Sequence, residues 1–156
     1  MAEQSDEKKQ AADSARKAAE TGFTALIGLE LAEVGPDRVT ARLPITDALL
    51  QPYGILHGGV LCSLVETLAS VGAATWYGDR GHVVGVSNHT DFLRASRSGT
   101  LDAVATPIHR GRSSQLWLVE VTDSQRRLIA RGQLRVANID NADQLAPSPS
   151  SQPASS

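Results

Sequence analysis

Between Asp47 and Asp79 the chain carries one formal charge, Glu66, in the middle of a stretch that reads as an apolar helix from Gly58 to Tyr77. Such a segment must be covered on several sides, which restricts the fold to one that wraps a central helix. Its length matches the ~20 residues of a membrane span. A central Glu, the hydroxyls Ser63, Thr67, Ser70 and Thr75 and several glycines make it a poor lipid-facing helix, so a surrounding sheet is the better expectation. A carboxylate buried there loses several kcal/mol of hydration unless it is compensated. Glu66 is therefore expected to be paired, neutralised or present for chemistry. Ser63, Glu66, Thr67 and Ser70 fall at i, i+3, i+4 and i+7, a single polar stripe of the kind that lines a site.

The 156 residues, 41% hydrophobic and 21% charged, fit one domain with an adequate core. A net charge of −2 argues against a nucleic-acid binder, and the single cysteine cannot form an internal disulfide. Met1 to Asp6 leads into no apolar run, so a cytoplasmic protein without a membrane partner is expected. His57, His82, His89 and His109 lack ligand spacing and carboxylate companions, so neither a metal nor a cofactor is expected.

Residues 1–20 are rich in Ala, Glu and Lys and read as a frayed helix or tail. Residues 139–156, ending in Pro and Ser, read as a disordered tail. The folded unit is then 21–138. Within it, apolar and polar residues alternate over 38–45 and 127–136, the mark of half-buried strands. Four more strands are expected at about 27–34, 83–94, 100–109 and 113–122. Gly35-Pro36-Asp37 and Asp123-Ser124-Gln125 supply turns. Two strands, a long helix and four strands make an α+β plan, a curved antiparallel sheet around one helix.

Gln51-Pro52-Tyr53-Gly54-Ile55-Leu56-His57-Gly58-Gly59-Val60, then Glu66, then Ser87-Asn88-His89-Thr90-Asp91-Phe92 and Arg94, resemble the hotdog-fold acyl-CoA thioesterases. The likeness is strongest to the phenylacetyl-CoA and 4-hydroxybenzoyl-CoA thioesterase branch, which places a Glu on the central helix. It spans about residues 25–137. What it implies is a hotdog fold, hydrolysis of a coenzyme A thioester, and dimers that pair into tetramers.

The residues support that chemistry on their own. Thioester hydrolysis needs a donor for the developing oxyanion and a base or nucleophile at the carbonyl carbon. Gly58 and Gly59 begin the helix, where N–H groups are expected to be free and no Cβ blocks approach. Gln51 offers a side-chain amide. Glu66 is then the base or the nucleophile, and the sequence does not choose. Because Glu66 lies eight residues beyond Gly58, roughly 12 Å along a helix, one carbonyl cannot touch both. The donor and the carboxylate must come from two copies related by a two-fold axis, making a homodimer the minimal active unit.

Further roles follow from the resemblance. His57 matches a histidine beside the oxyanion glycine, where it orients the turn or substrate or makes a structural hydrogen bond. Gln51 matches a residue that contacts the thioester, the alternative being ordinary turn polarity. Ser70 stands where related enzymes carry a Thr that positions water or the Glu. Arg94 matches a contact to coenzyme A phosphates, and Arg112, Ser113 and Ser114 fall in the turn that cradles the nucleotide end. The basic residue some of those enzymes carry near the end of the last strand is missing at Val136-Ala137-Asn138, which would redistribute phosphate contacts to Arg110 or Arg112. Two decoys are set aside. Ser87, His89 and Asp91 suggest a triad but lie about 6.5 to 7 Å apart along a strand. Cys62 on an apolar helix is usually a small hydrophobe. Trp76, Tyr77, Phe92 and Trp117 are available for an aromatic acyl pocket or for the core, leaving an aryl and a medium-chain acyl group both open. The competing functions are a hotdog enoyl-CoA hydratase or dehydratase using His57 with Glu66, and a non-catalytic acyl-CoA binding protein.

Overall fold

The computed structural model describes residues 10, 13–17 and 20–140. Most of the expected N-terminal tail, and the expected C-terminal tail from residue 141, lie outside the described residues. Residues 13–17 are helical, and Arg16 Nη2 donates to the Ala32 carbonyl at 2.9 Å.

Six antiparallel strands, β1 (Glu30–Val34), β2 (Val39–Pro44), β3 (His82–Phe92), β4 (Thr100–Arg110), β5 (Ser114–Thr122) and β6 (Leu128–Ile139), form one sheet in the order β1-β2-β4-β5-β6-β3. A short helix α1 (Gly22–Leu26) precedes β1, and the long helix α2 (Gly58–Tyr77) joins β2 to β3. Because α2 is inserted there, β3 crosses over to pair with β6 and becomes an edge of the sheet.

The sheet wraps α2, which packs against β2, β3, β4, β5 and β6. Val60, Leu61, Leu64, Val65, Leu68, Ala69, Gly72 and Ala73 are buried, the i, i+3, i+4 pattern of a helix with one face covered. They meet Leu43, Leu101, Trp117, Val119, Val121, Ile129, Leu134 and Val136 from the strands. The run Gly58–Arg80 is long and apolar enough to cross a membrane by length and composition. Its apolarity is accounted for by the sheet that covers it.

The expected strands are all present, with differences at their ends. The first begins at Glu30, not near residue 27, because α1 ends in a turn at Gly28 with φ +73°. Ile27 and Leu29 still reach the core from that turn. The last strand runs through Ile139, and the Tyr77 hydroxyl donates to the Asp140 carboxylate, tying the end of β6 to the end of α2 and holding the Tyr77 phenol above its ordinary pKa. At the β5–β6 turn Asp123 accepts from the Gln125 and Arg127 N–H groups and pairs with the Arg127 guanidinium, and Arg126 takes a positive φ of 62°.

Candidate functional site

The polar stripe read from the sequence is the uncovered face of α2. Ser63, Glu66, Thr67 and Ser70 are all half-buried, while the positions between them are in the core. Glu66 is therefore not inside the domain, as the apolar surroundings in sequence suggested. The sheet covers one side of the helix and Glu66 projects from the other, so its carboxylate keeps part of its hydration within a single chain.

One strand reaches that carboxylate. Asn88 of β3 donates through Nδ2 to Glu66 Oε2 at 3.1 Å and to the Cys62 carbonyl at 3.0 Å, while its Oδ1 accepts from Thr90 Oγ1 at 2.7 Å. Gly85 of the same strand lies against Glu66 Oε1: a Cβ built there would sit 2.2 Å from the oxygen. Neither residue stands out from sequence. Asn88 belongs to the motif carrying the family likeness, but its amide has no signature of its own. Gly85 interrupts a Val-rich strand, a signal that often marks the close approach of another group.

A second group of residues meets at the N-terminus of α2. His57 caps the helix, its Nδ1 accepting from the Gly59 N–H at 2.9 Å. The expectation of two free glycine N–H groups is thus corrected to one: Gly59 is satisfied by His57, and the Gly58 N–H has no acceptor among the described residues. With Nδ1 used as an acceptor, neutral His57 carries its proton on Nε2 and presents a donor, not a base. The Phe92 ring lies on Gly58, where a Cβ would come within 2.8 Å of Cε2. Gln51, Gly58, Phe92, Arg94, Ser96 and Ile129 share a cavity of about 330 Å³. Its loop is held in place by Arg97 Nη1, which donates to the carbonyls of Tyr53 and Gly54.

Ser70 and Thr67 lie apart from that cavity and line a separate open groove of about 620 Å³ with Val71, Ala74, Val83 and Thr24. Ser70 stands one turn beyond Glu66 on the same helix face, so this apolar groove begins one turn from the carboxylate. The structure thus brings Gln51, Gly58, His57 and Arg94 together at one end of α2, and Glu66 with Ser70 further along it.

The remaining arginine and serine candidates are at the far end of the sheet. Leu93 and Arg94 donate to the Ile129 carbonyl at the start of β6, whereas Asn138 at its end donates to the Ser113 carbonyl. Nine residues of strand separate the two contacts, about 30 Å. Arg112 and Ser113 are exposed in the β4–β5 turn, next to Ser114 at the start of β5. Arg110 is engaged: its Nη1 contacts Asp37 and the Pro36 carbonyl at 2.9 Å each, and its guanidinium lies 5.3 Å from the Trp76 ring. Among the aromatics, Trp117 is fully buried and donates to Gln115, and Tyr77 is buried. Phe92 alone of the four lines the cavity with Gly58. In the apparent triad, His89 Nε2 and Asp91 Oδ1 are 3.7 Å apart, too long for a hydrogen bond.

The profile of the Thioesterase superfamily matches residues 53–130, half of the chain. This chain belongs to that superfamily. The 1,4-dihydroxy-2-naphthoyl-CoA hydrolase of Listeria monocytogenes is 33% identical over 116 residues, covering 74% of this chain and 94% of its own. The crystal structure of S. sahachiroi AziG is 46% identical with a TM-score of 0.76, covering 78% of this chain and 98% of that one. That of a thioesterase from Haemophilus influenzae is 29% identical with a TM-score of 0.78, covering 83% and 90%. The fold is accordingly the hotdog fold, and the chain is a thioester hydrolase.

Proposed function

We propose that the substrate is an acyl-CoA thioester, hydrolysed to the free acid and coenzyme A in a site shared by two copies of the chain. The observation that carries the reading is the division of the machinery along α2. An N–H without an acceptor among the described residues, that of Gly58, opens on the cavity holding Gln51. A half-exposed carboxylate at Glu66 stands two turns further on, roughly 12 Å away. The Gly58 N–H of one copy and Gln51 hold the thioester oxygen, and Glu66 of the other acts at the carbonyl carbon. As nucleophile, the carboxylate forms a mixed anhydride as the C–S bond breaks, the thiolate leaves and takes a proton from water, and water then cleaves the anhydride. As general base, Glu66 removes a proton from the attacking water, and the tetrahedral intermediate expels the thiolate directly.

The edge strand β3 supports the pairing. Its far side has no partner strand among the described residues, it is 11 residues long, and Val86 and Phe92, with Leu93 just beyond it, are more than half exposed. An edge of this kind calls for a cover. Antiparallel pairing of two β3 strands about a two-fold sets the Arg94 end of one chain beside the Ser113 end of its partner. Coenzyme A phosphates are then within reach of Arg94 from one copy and Arg112 from the other, with Arg110 retained by Asp37. The groove beside Glu66 gives the acyl group an apolar bed, and pairing of two such dimers completes a tetramer.

A thiol-trapping assay across aryl-CoA and medium-chain acyl-CoA thioesters tests the proposal, with thiol release from at least one class expected. Consumption of an enoyl-CoA without thiol release indicates a hydratase, a reaction for which His57 is poorly set because its Nδ1 caps the helix. Binding without turnover of any thioester indicates a carrier or sensor. Either result overturns the proposal.

A further inference from the structure

We infer that Asn88 is the positioning residue for the Glu66 carboxylate and that Thr90 fixes the way Asn88 faces, an inference that rests on Glu66 being the reacting carboxylate. A glutamate on an open helix face has three side-chain torsions and, unaided, spends little time aimed at one point. The Asn88 amide removes that freedom from the neighbouring strand. One N–H of its NH2 goes to Glu66 Oε2 at 3.1 Å, and the other to the Cys62 carbonyl at 3.0 Å. Cys62 is four residues before Glu66, so its carbonyl is the one that receives Glu66's own N–H in the helix. The amide is thereby keyed to the turn of helix that carries the carboxylate.

Thr90 supplies the direction. An asparagine amide has one acceptor end and one donor end. The Thr90 hydroxyl donates to Asn88 Oδ1 at 2.7 Å, which leaves Nδ2 for the helix. A flipped amide would set Oδ1 against both the Cys62 carbonyl and the Glu66 carboxylate, two contacts between acceptors. Asn88 and Thr90 are two apart on β3, so their side chains share a face. Gly85 completes the seat, since its missing side chain leaves the space that Glu66 Oε1 occupies. The carboxylate is held on one oxygen by a donor and bounded on the other by bare backbone. Positioning of a reacting group in this way raises turnover more than affinity.

The test compares Asn88→Ala, Asn88→Asp, Thr90→Val and Thr90→Ser with Glu66→Ala in the full-length enzyme, measuring kcat and KM for a turned-over thioester alongside thermal unfolding. Asn88→Ala should lower kcat by about 10- to 100-fold and leave KM within about twofold. Asn88→Asp, which donates nothing to Glu66 when ionised, should lower kcat at least as far. Thr90→Val should lower it by about 3- to 10-fold, and Thr90→Ser, which keeps the hydroxyl, should restore most of it. Folded Asn88 variants with unchanged kcat, or with losses confined to KM, overturn the inference. Where the Asn88 variants do not fold, the Thr90 pair decides: equal kcat for Val and Ser at that position also overturns it. Full turnover by Glu66→Ala would defeat the underlying functional reading, whereas an inactive Glu66→Ala beside unaffected Asn88 and Thr90 variants defeats only this inference.

Discussion

Two polar side chains lie on opposite sides of α2, Gln115 packed against it from the sheet and Glu66 borne on its uncovered face, and they are treated in opposite ways. Gln115, from β5, is 1% exposed and fully engaged: Nε2 donates to the Ala73 carbonyl and to Asn138 Oδ1, and Oε1 accepts from the buried Trp117 indole. Asn138 in turn donates to the carbonyls of Gly111 and Arg112, so the β4–β5 turn is secured by the same network. Glu66, on the uncovered side, has one side-chain hydrogen-bond partner, Asn88, and no cation in contact among the described residues. A buried polar group with every valence satisfied serves the fold. A charge left half-exposed, with one oxygen held by an amide and the other lying against the bare backbone of Gly85, is available to a ligand.

Exchanging the two roles by mutation breaks or sharpens the contrast. Glu66→Ala should cost at least about 1,000-fold in kcat while the unfolding midpoint stays close to wild type. A large fall in midpoint with activity retained would place Glu66 in the structural class. Next in size is Gly85→Ala. The added methyl meets the flexible end of Glu66 and no backbone atom of α2, so the carboxylate should give way at little cost in stability. Turnover should fall by about 10- to 100-fold, and a loss of fold instead of turnover would show that β3 cannot yield there.

Gln115→Ala should do the reverse. It strands the Trp117 N–H and part of Asn138 in the core, at about 2–3 kcal/mol by denaturant unfolding, with kcat per folded enzyme near wild type. The smallest effect is expected far from both, at the β5–β6 turn. The Arg127 guanidinium, with backbone N–H groups, holds the Asp123 carboxyl below the ordinary carboxylate range. A depressed folded pKa stabilises the fold above the unfolded carboxylate range and is lost as pH falls through the folded value. Asp123→Asn should therefore lower the unfolding midpoint slightly at neutral pH, and the difference from wild type should vanish on acidification. A difference that persists at low pH would assign the effect to the turn geometry alone.

Much of this was legible in the residues because it depends on period and composition. The 3.6-residue spacing of Val60, Leu61, Leu64, Val65, Leu68 and Ala69 determines which face of α2 is buried, and therefore that Ser63, Glu66, Thr67 and Ser70 share the other. Alternation located the strands, and Gly35-Pro36-Asp37 and Asp123-Ser124-Gln125 located the turns, since these are local preferences of the backbone. The Gln51, His57-Gly58 and Glu66 spacing marked the candidate site for the same reason, being a pattern within one loop and one helix.

What only the tertiary structure decided is which of those groups are satisfied by something distant in the chain. His57 taking the Gly59 N–H, Arg110 going to Asp37, Asn88 reaching across from β3 to Glu66 and Phe92 resting on Gly58 each join residues whose pairing depends on how a loop closes or how strands are ordered. The sheet places β3 beside β6 and, among the described residues, leaves its other side without a strand. No period along the chain encodes that choice, because it is settled by where the helix leaves the sheet and which surfaces remain to be covered.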